Sequence, residues 1–196
     1  YFKKFYEANF SNDEQQSVLR VIPVEETIRP SDYIEFFDYE RVSSIIEDSH
    51  RFAIGLCSCR NEKHLNGEKE CDAPLENCSP IGLGADYTIR HNLAREVSKS
   101  EMLENLARSK ELGLVFCAEN TKRNPMVICH CCKCCCNYLA GLSKFGYAKS
   151  AVTSNFVSKI DDILCKGCGK CVDVCPVNAV SMVSAEDPRK PKSKKA

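Results

Sequence analysis

Apolar residues recur at helical spacing in some stretches of this chain and as short continuous runs in others, and the two patterns alternate. Val42, Ile45 and Ile46 line one face of a helix near residues 39–48, and Ser31-Asp32 upstream can cap it. Phe52 to Leu56 reads as a short buried strand. Residues 82–92 end as a helix. A clearer helix starts at Ser98 or Ser100, carries Met102, Leu103, Leu106 and Ala107 on one face, and stops at Gly113. Leu114 to Cys117 follows as a strand, and Leu139, Leu142 and Phe145 mark a short helix closed by Gly146. Phe156 to Asp161 and Val177 to Val183 read as a strand and a turn-plus-strand on either side of a polar loop. Near the start, Arg20 to Val24 is an edge strand ended by Pro23, and Phe2, Phe5, Tyr6 and Phe10 stand at helical intervals. Small strands and helices in this order predict an α+β fold.

Composition narrows the class. A charged share of 28% and an apolar share of 43% describe a soluble globular protein. No run approaches the ~20 apolar residues of a membrane span, and no signal peptide is evident. The start at Tyr1 leaves room for a preceding segment. The formal net charge is zero, but Arg189 to Ala196 holds five Lys or Arg and no acid, which leaves the rest of the chain acidic. The basic tail, 185–196, reads as a solvated end, or as a docking arm for an acidic partner. It is thin support for nucleic-acid binding, which the sequence otherwise disfavours.

The 15 cysteines change the picture most. They fall as Cys57, Cys59, Cys71 and Cys78; a lone Cys117; Cys129, Cys131, Cys132, Cys134, Cys135 and Cys136; and Cys165, Cys168, Cys171 and Cys175. An odd count with adjacent cysteines suits a disulfide framework poorly. Thiolate–metal ligation in a reducing, cytoplasmic setting suits it well. The last group, Cys165-x2-Cys168-x2-Cys171-x3-Cys175-Pro176, has the spacing of a bacterial ferredoxin loop. Two-residue gaps let a loop curl round a cubane, and Gly167 and Gly169 allow the left-handed angles this needs.

The first group could close one metal site by itself, iron–sulfur or zinc, with Arg60, Lys63 and Lys69 offsetting charge. The middle group, six thiols in eight residues, exceeds one cubane. Three readings stay open for it: ligands divided between cubanes, a noncubane iron–sulfur cluster, or a zinc or copper thiolate cluster. His130 is expected to be structural or orienting, and Cys117 buried and inert. No cysteine follows Cys175, so the set Cys165, Cys168 and Cys171 takes Cys175, a middle-group thiol or a partner's ligand. No Walker loop or catalytic triad is evident, and Gly82-Leu83-Gly84 is a weak dinucleotide signal.

Together these segments resemble the ferredoxin-type 4Fe-4S (dicluster-domain) iron–sulfur proteins of anaerobic bacteria and archaea. The resemblance rests on Cys57-Ser58-Cys59-Arg60, on Cys71-Asp72-Ala73-Pro74-Leu75-Glu76-Asn77-Cys78, on Ile128 to Cys136, and on the run ending at Pro176. It implies two to three 4Fe-4S clusters, redox work, and service to a larger redox enzyme or complex. The expected organisation is a lead-in or docking segment (1–30), a cysteine-rich α+β cluster-binding domain (31–150), a ferredoxin-like module (151–184) and the tail. An enzyme with a substrate-binding cluster on residues 129–136, or a redox or metal sensor, is the alternative.

Overall fold

A computed structural model describes residues 4, 7–8, 17–28, 41–121, 123–146, 151–152, 158–161 and 163–183. The Ser31-Asp32 cap, the start of the strand expected at Phe156 and the basic tail lie outside the described residues. Of the aromatic lead-in, Lys4, Glu7 and Ala8 are described, and all three are helical.

Among the described residues, a seven-stranded sheet organises the fold. Its strands are β1 (Leu19–Val21), β2 (Phe52–Leu56), β3 (Glu76–Pro80), β4 (Ala94–Val97), β5 (Val115–Glu119), β6 (Val127–Cys131) and β7 (Ala151–Val152). They lie in the order β4-β2-β3-β6-β5-β1-β7. Every pairing is antiparallel except the parallel β1–β7 pair. The mixed helix and strand content is that of an α+β fold. β1 is not the edge strand its proline suggested. Pro23 lies just past its end, and β5 and β7 flank it on both sides.

Period-two alternation gives the sheet two unlike faces. Phe52 and Ile54 of β2, Phe116 and Ala118 of β5, and Ile128 of β6 join one apolar core with Ile45 and Ile46 of α1 (Val42–Glu47) and Met102 and Leu106 of α4 (Lys99–Glu111). α4 starts where the sequence places it: the Ser98 hydroxyl caps it by accepting from the Glu101 N–H. The intervening residues, Cys78 of β3, Cys117 of β5, and Cys129 and Cys131 of β6, alternate to the opposite side. The register sets Cys117 directly across from Cys129. Leu19, Leu139 and partly buried Val115 close an apolar layer around Cys117, Cys131 and Cys136 there.

Among the described residues, three further helices follow these segments. α2 (Ser58–Leu65) leaves the end of β2, α3 (Gly82–Arg90) leaves the end of β3, and α5 (Asn137–Ser143) leaves the middle cysteine segment. α2, β3 and β4 are not evident in the apolar pattern. Past β7, α6 (Lys170–Val174) is one short turn of helix, and residues 177–183 form no regular strand, contrary to expectation. Instead, the Ala179 N–H there donates to a sulfur, Cys175 Sγ.

Candidate metal centres

Cys71, Cys132, Cys134 and Cys135 form the tightest thiol group. Their Sγ atoms all lie within 4.8 Å of one another. Cys134 Sγ stands 3.9 Å from Cys132 Sγ and 3.3 Å from Cys135 Sγ. Cys71 reaches the group from the irregular loop between α2 and β3. The other three come from the turn after β6, whose curl lets the adjacent Cys134 and Cys135 face one centre. Ala73 and Leu114 cover it.

The second group lies on the cysteine face of the sheet. Cys57 is the N-cap residue of α2 and Cys59 lies in its first turn, while Cys136 is the N-cap residue of α5. Cys59 interacts with Cys57 on one side and Cys136 on the other. Cys136 Sγ lies 3.2 Å from Cys131 Sγ, and Cys131 also meets Cys117. Cys78 and Cys129 complete it from below, within electrostatic reach of Cys57 and Cys59. An Asn137–Glu62 hydrogen bond of 3.1 Å ties α5 to α2 above it.

The first cysteine group of the sequence therefore does not close on itself. Cys71 goes to the quartet, and Cys57, Cys59 and Cys78 go to the sheet face. Neighbours in the middle segment also part: Cys131 and Cys136 face the sheet group, and Cys132, Cys134 and Cys135 face the quartet. Cys117 is buried as expected, but it adjoins this second group. The strand alternation that aims it there could have signalled this; the cross-strand register could not be read from sequence.

Arg60 lies between the two groups and is 1% exposed. Its Nη1 donates to the Pro74 carbonyl at 2.7 Å, and its Nη2 to the His130 carbonyl at 2.8 Å and to Cys132 Sγ at 3.6 Å. Burial opposes its charge, but the Cys132 contact and the nearby Cys57 and Cys71 outweigh it and raise its pKa. Lys69 donates to the Cys71 carbonyl, and Lys63 pairs with Glu68 within electrostatic reach of Cys135. His130 is structural: its ring points away from the thiols, with Nε2 2.8 Å from Ser79 Oγ and its edge on Phe116. Burial, then Arg60, pushes its pKa down to about 3, so the imidazole is neutral.

Most of the interior thiols titrate high. Burial, then Cys57 and Cys59, pushes Cys78 up to about 12. Cys129 rises for the same reason, while Cys57, Cys59, Cys131 and Cys136 rise chiefly through their thiol neighbours. Cys71 shifts the other way. Burial raises it, but donation from Cys134, the Ala73 N–H, Cys132 and Cys135 outweighs that and lowers it. Such thiols stay protonated until a cation takes the proton's place, so metal uptake releases protons.

The C-terminal loop is built differently. Cys165, Cys168 and Cys171 are exposed. Gly167 and Gly169 take positive φ of 66° and 78°, as the spacing requires. Cys175 Sγ accepts the Ala179 N–H at 3.2 Å. Burial raises its pKa, and the N–H groups of Val177, Ala179, Val180 and Asn178 more than offset this, so it lies below the ordinary thiol value. Amides aimed at a thiolate sulfur fit an iron–sulfur ligand. Val177 packs against the apolar layer around Cys117, Cys131 and Cys136. No helix among the described residues is long and apolar enough to cross a membrane.

Residues 158–181 match the family model of the 4Fe-4S binding domain. No curated protein and no solved structure matches the chain.

Proposed function

For an iron–sulfur protein with this thiol arrangement, we propose single-electron transfer, as a carrier or subunit serving a larger oxidoreductase. One 4Fe-4S cluster belongs to Cys165, Cys168, Cys171 and Cys175. A second belongs among Cys57, Cys59, Cys78, Cys129, Cys131 and Cys136, which offer more thiols than one cubane takes. The clusters supply the redox chemistry, storing and releasing one electron at a time. The chain holds the inner one in a buried layer and presents the outer one on an exposed loop.

The match over residues 158–181 on a loop with left-handed Gly167 and Gly169 carries this reading. The loop's surroundings support a docking partner. Ile163 is 93% exposed, and Leu164 and Val174 are also exposed beside the loop cysteines. Val177 links the loop to the layer around the inner thiols, which favours electron exchange between the two sites.

Anaerobically purified protein should contain about eight iron and eight sulfide per chain and give reducible low-potential EPR signals. Zinc in the C-terminal loop, or iron that no reductant converts to a paramagnetic cluster, would overturn the proposal.

A further inference from the structure

The geometry points to a third kind of centre: a single zinc ion held tetrahedrally by Cys71, Cys132, Cys134 and Cys135, separate from any iron–sulfur cluster. Sulfur spacing is the first ground. A Zn–S bond of about 2.3 Å sets the edge of a thiolate tetrahedron at about 3.8 Å. The quartet's contacts of 3.9 and 3.3 Å, within a limit of 4.8 Å for every pair, fit that edge. A cubane puts each thiolate on its own iron, so the iron–iron separation adds to the metal–sulfur bonds and spreads the sulfurs wider.

The molecule provides its own comparison. Among the described residues, the quartet is the only set of three or more Cys, His, Asp or Glu whose ligand atoms all approach this closely. The four cysteines of the loop that matches a 4Fe-4S domain do not meet that limit, and on the sheet face Cys131 and Cys136 stand 3.2 Å apart but no three thiols lie mutually so close. Two kinds of thiol spacing therefore coexist in one chain.

The donor set and its surroundings agree with zinc. Four thiolates fill a closed, structural zinc site with no open position. Arg60 Nη2 reaches Cys132 Sγ, and Lys63 lies near Cys135, so cations face the −2 charge of zinc with four thiolates. The site also has mechanical work to do. Residues 66–75 run without regular structure between α2 and β3, and Cys71 in that stretch would be stapled to the turn after β6.

The test is metal analysis and zinc-edge X-ray absorption on the full chain purified anaerobically with both metals supplied. One zinc per chain with four sulfur neighbours at about 2.3 Å and no iron scatterer is the expected result. Cys71→Ser and Cys134→Ser should lose that zinc and keep iron and sulfide, whereas Cys168→Ser should lose iron and sulfide and keep zinc. Should the quartet variants fail to fold, cobalt(II) exchanged into the wild-type protein reports the same site through its tetrahedral thiolate absorption bands. Iron in the quartet, single or with sulfide, overturns the inference. So does loss of iron and sulfide from Cys134→Ser. The iron content of the Cys168 loop is read independently, so failure here leaves the electron-transfer proposal standing or falling by itself.

Discussion

Arg60 enters the interior from the first turn of α2 and donates to two carbonyls on separate segments, those of Pro74 and His130. Arg60→Met keeps much of the apolar stem and removes the hydrogen bonds given to both carbonyls and to the Cys132 sulfur. Each orphaned buried acceptor costs about 1–3 kcal/mol, so this variant should lose several kcal/mol in denaturant unfolding. Arg60→Lys should recover only part of the loss, because one ammonium cannot reach all three acceptors as a planar fork does. His130 makes a pH-dependent contribution whose sign is fixed. An unfolded imidazole titrates near 6.5, whereas the folded one, buried beside Arg60, titrates at about 3. Above pH 6.5 both states are neutral and stability is unaffected. As pH falls from there towards 3, only the unfolded chain takes up the proton and stability drops. His130→Asn should lose less stability than wild type between pH 7.5 and 5.5, by roughly 1 kcal/mol in matched unfolding curves. Arg60 was legible as a charge-balancing cation from its place among cysteines. Its burial was not, because that depends on a carbonyl 70 residues away in sequence.

Helices and strands with a strong apolar period, β2, α4 and β5, could be read from the chain because side chains on one face suffice to define them. α2, β3 and β4 could not. α2 is polar apart from its leucine end, β3 reads Glu-Asn-Cys-Ser-Pro, and β4 is half charged. What fixes β3 is its neighbours: β2 and β6 hydrogen-bond it from both sides, and Ser79 meets His130 and Asn105. The Gly82-Leu83-Gly84 segment shows the same dependence on tertiary context. It is the start of α3, and Gly84 is required by a close approach: a Cβ there would stand 2.0 Å from the Met126 carbonyl oxygen. Backbone cannot yield as a flexible side chain does, so Gly84→Ala should push α3 off the strand that leads into the cysteine segment. A loss of about 1–3 kcal/mol is expected in thermal or denaturant unfolding. An unchanged midpoint would show that α3 tolerates the displacement.

At the scale of the whole molecule, the sheet separates two sources of stability. One face carries an apolar core under α1 and α4 that owes nothing to metal, and the other carries thiols under α2 and α5. The cysteine counts in the sequence announced metal chemistry. The partition into a quartet, a sheet-face group and an exposed loop came only from strand register and from the turn after β6. This partition makes the consequences of metal loss unequal. Cys171→Ser empties an exposed loop in which the described part of α6 has no buried residue. About four iron per chain should go, with far-UV circular dichroism and the unfolding midpoint nearly unchanged. Cys129→Ser acts on a thiol that alternates inward from β6, opposite Cys117 and beside the α2 and α5 termini. There the remaining thiols, pushed up by burial and by one another, would revert to the protonated state, and α2 and α5 would lose the cluster proposed between them. Metal binding at such a site is also folding free energy. Cys129→Ser should therefore lose iron together with a large part of its resistance to denaturant, while the α1–α4 face keeps its amide protection in hydrogen exchange. Equal losses of stability in the two variants would show that the loop is as deeply coupled to the fold as the buried face.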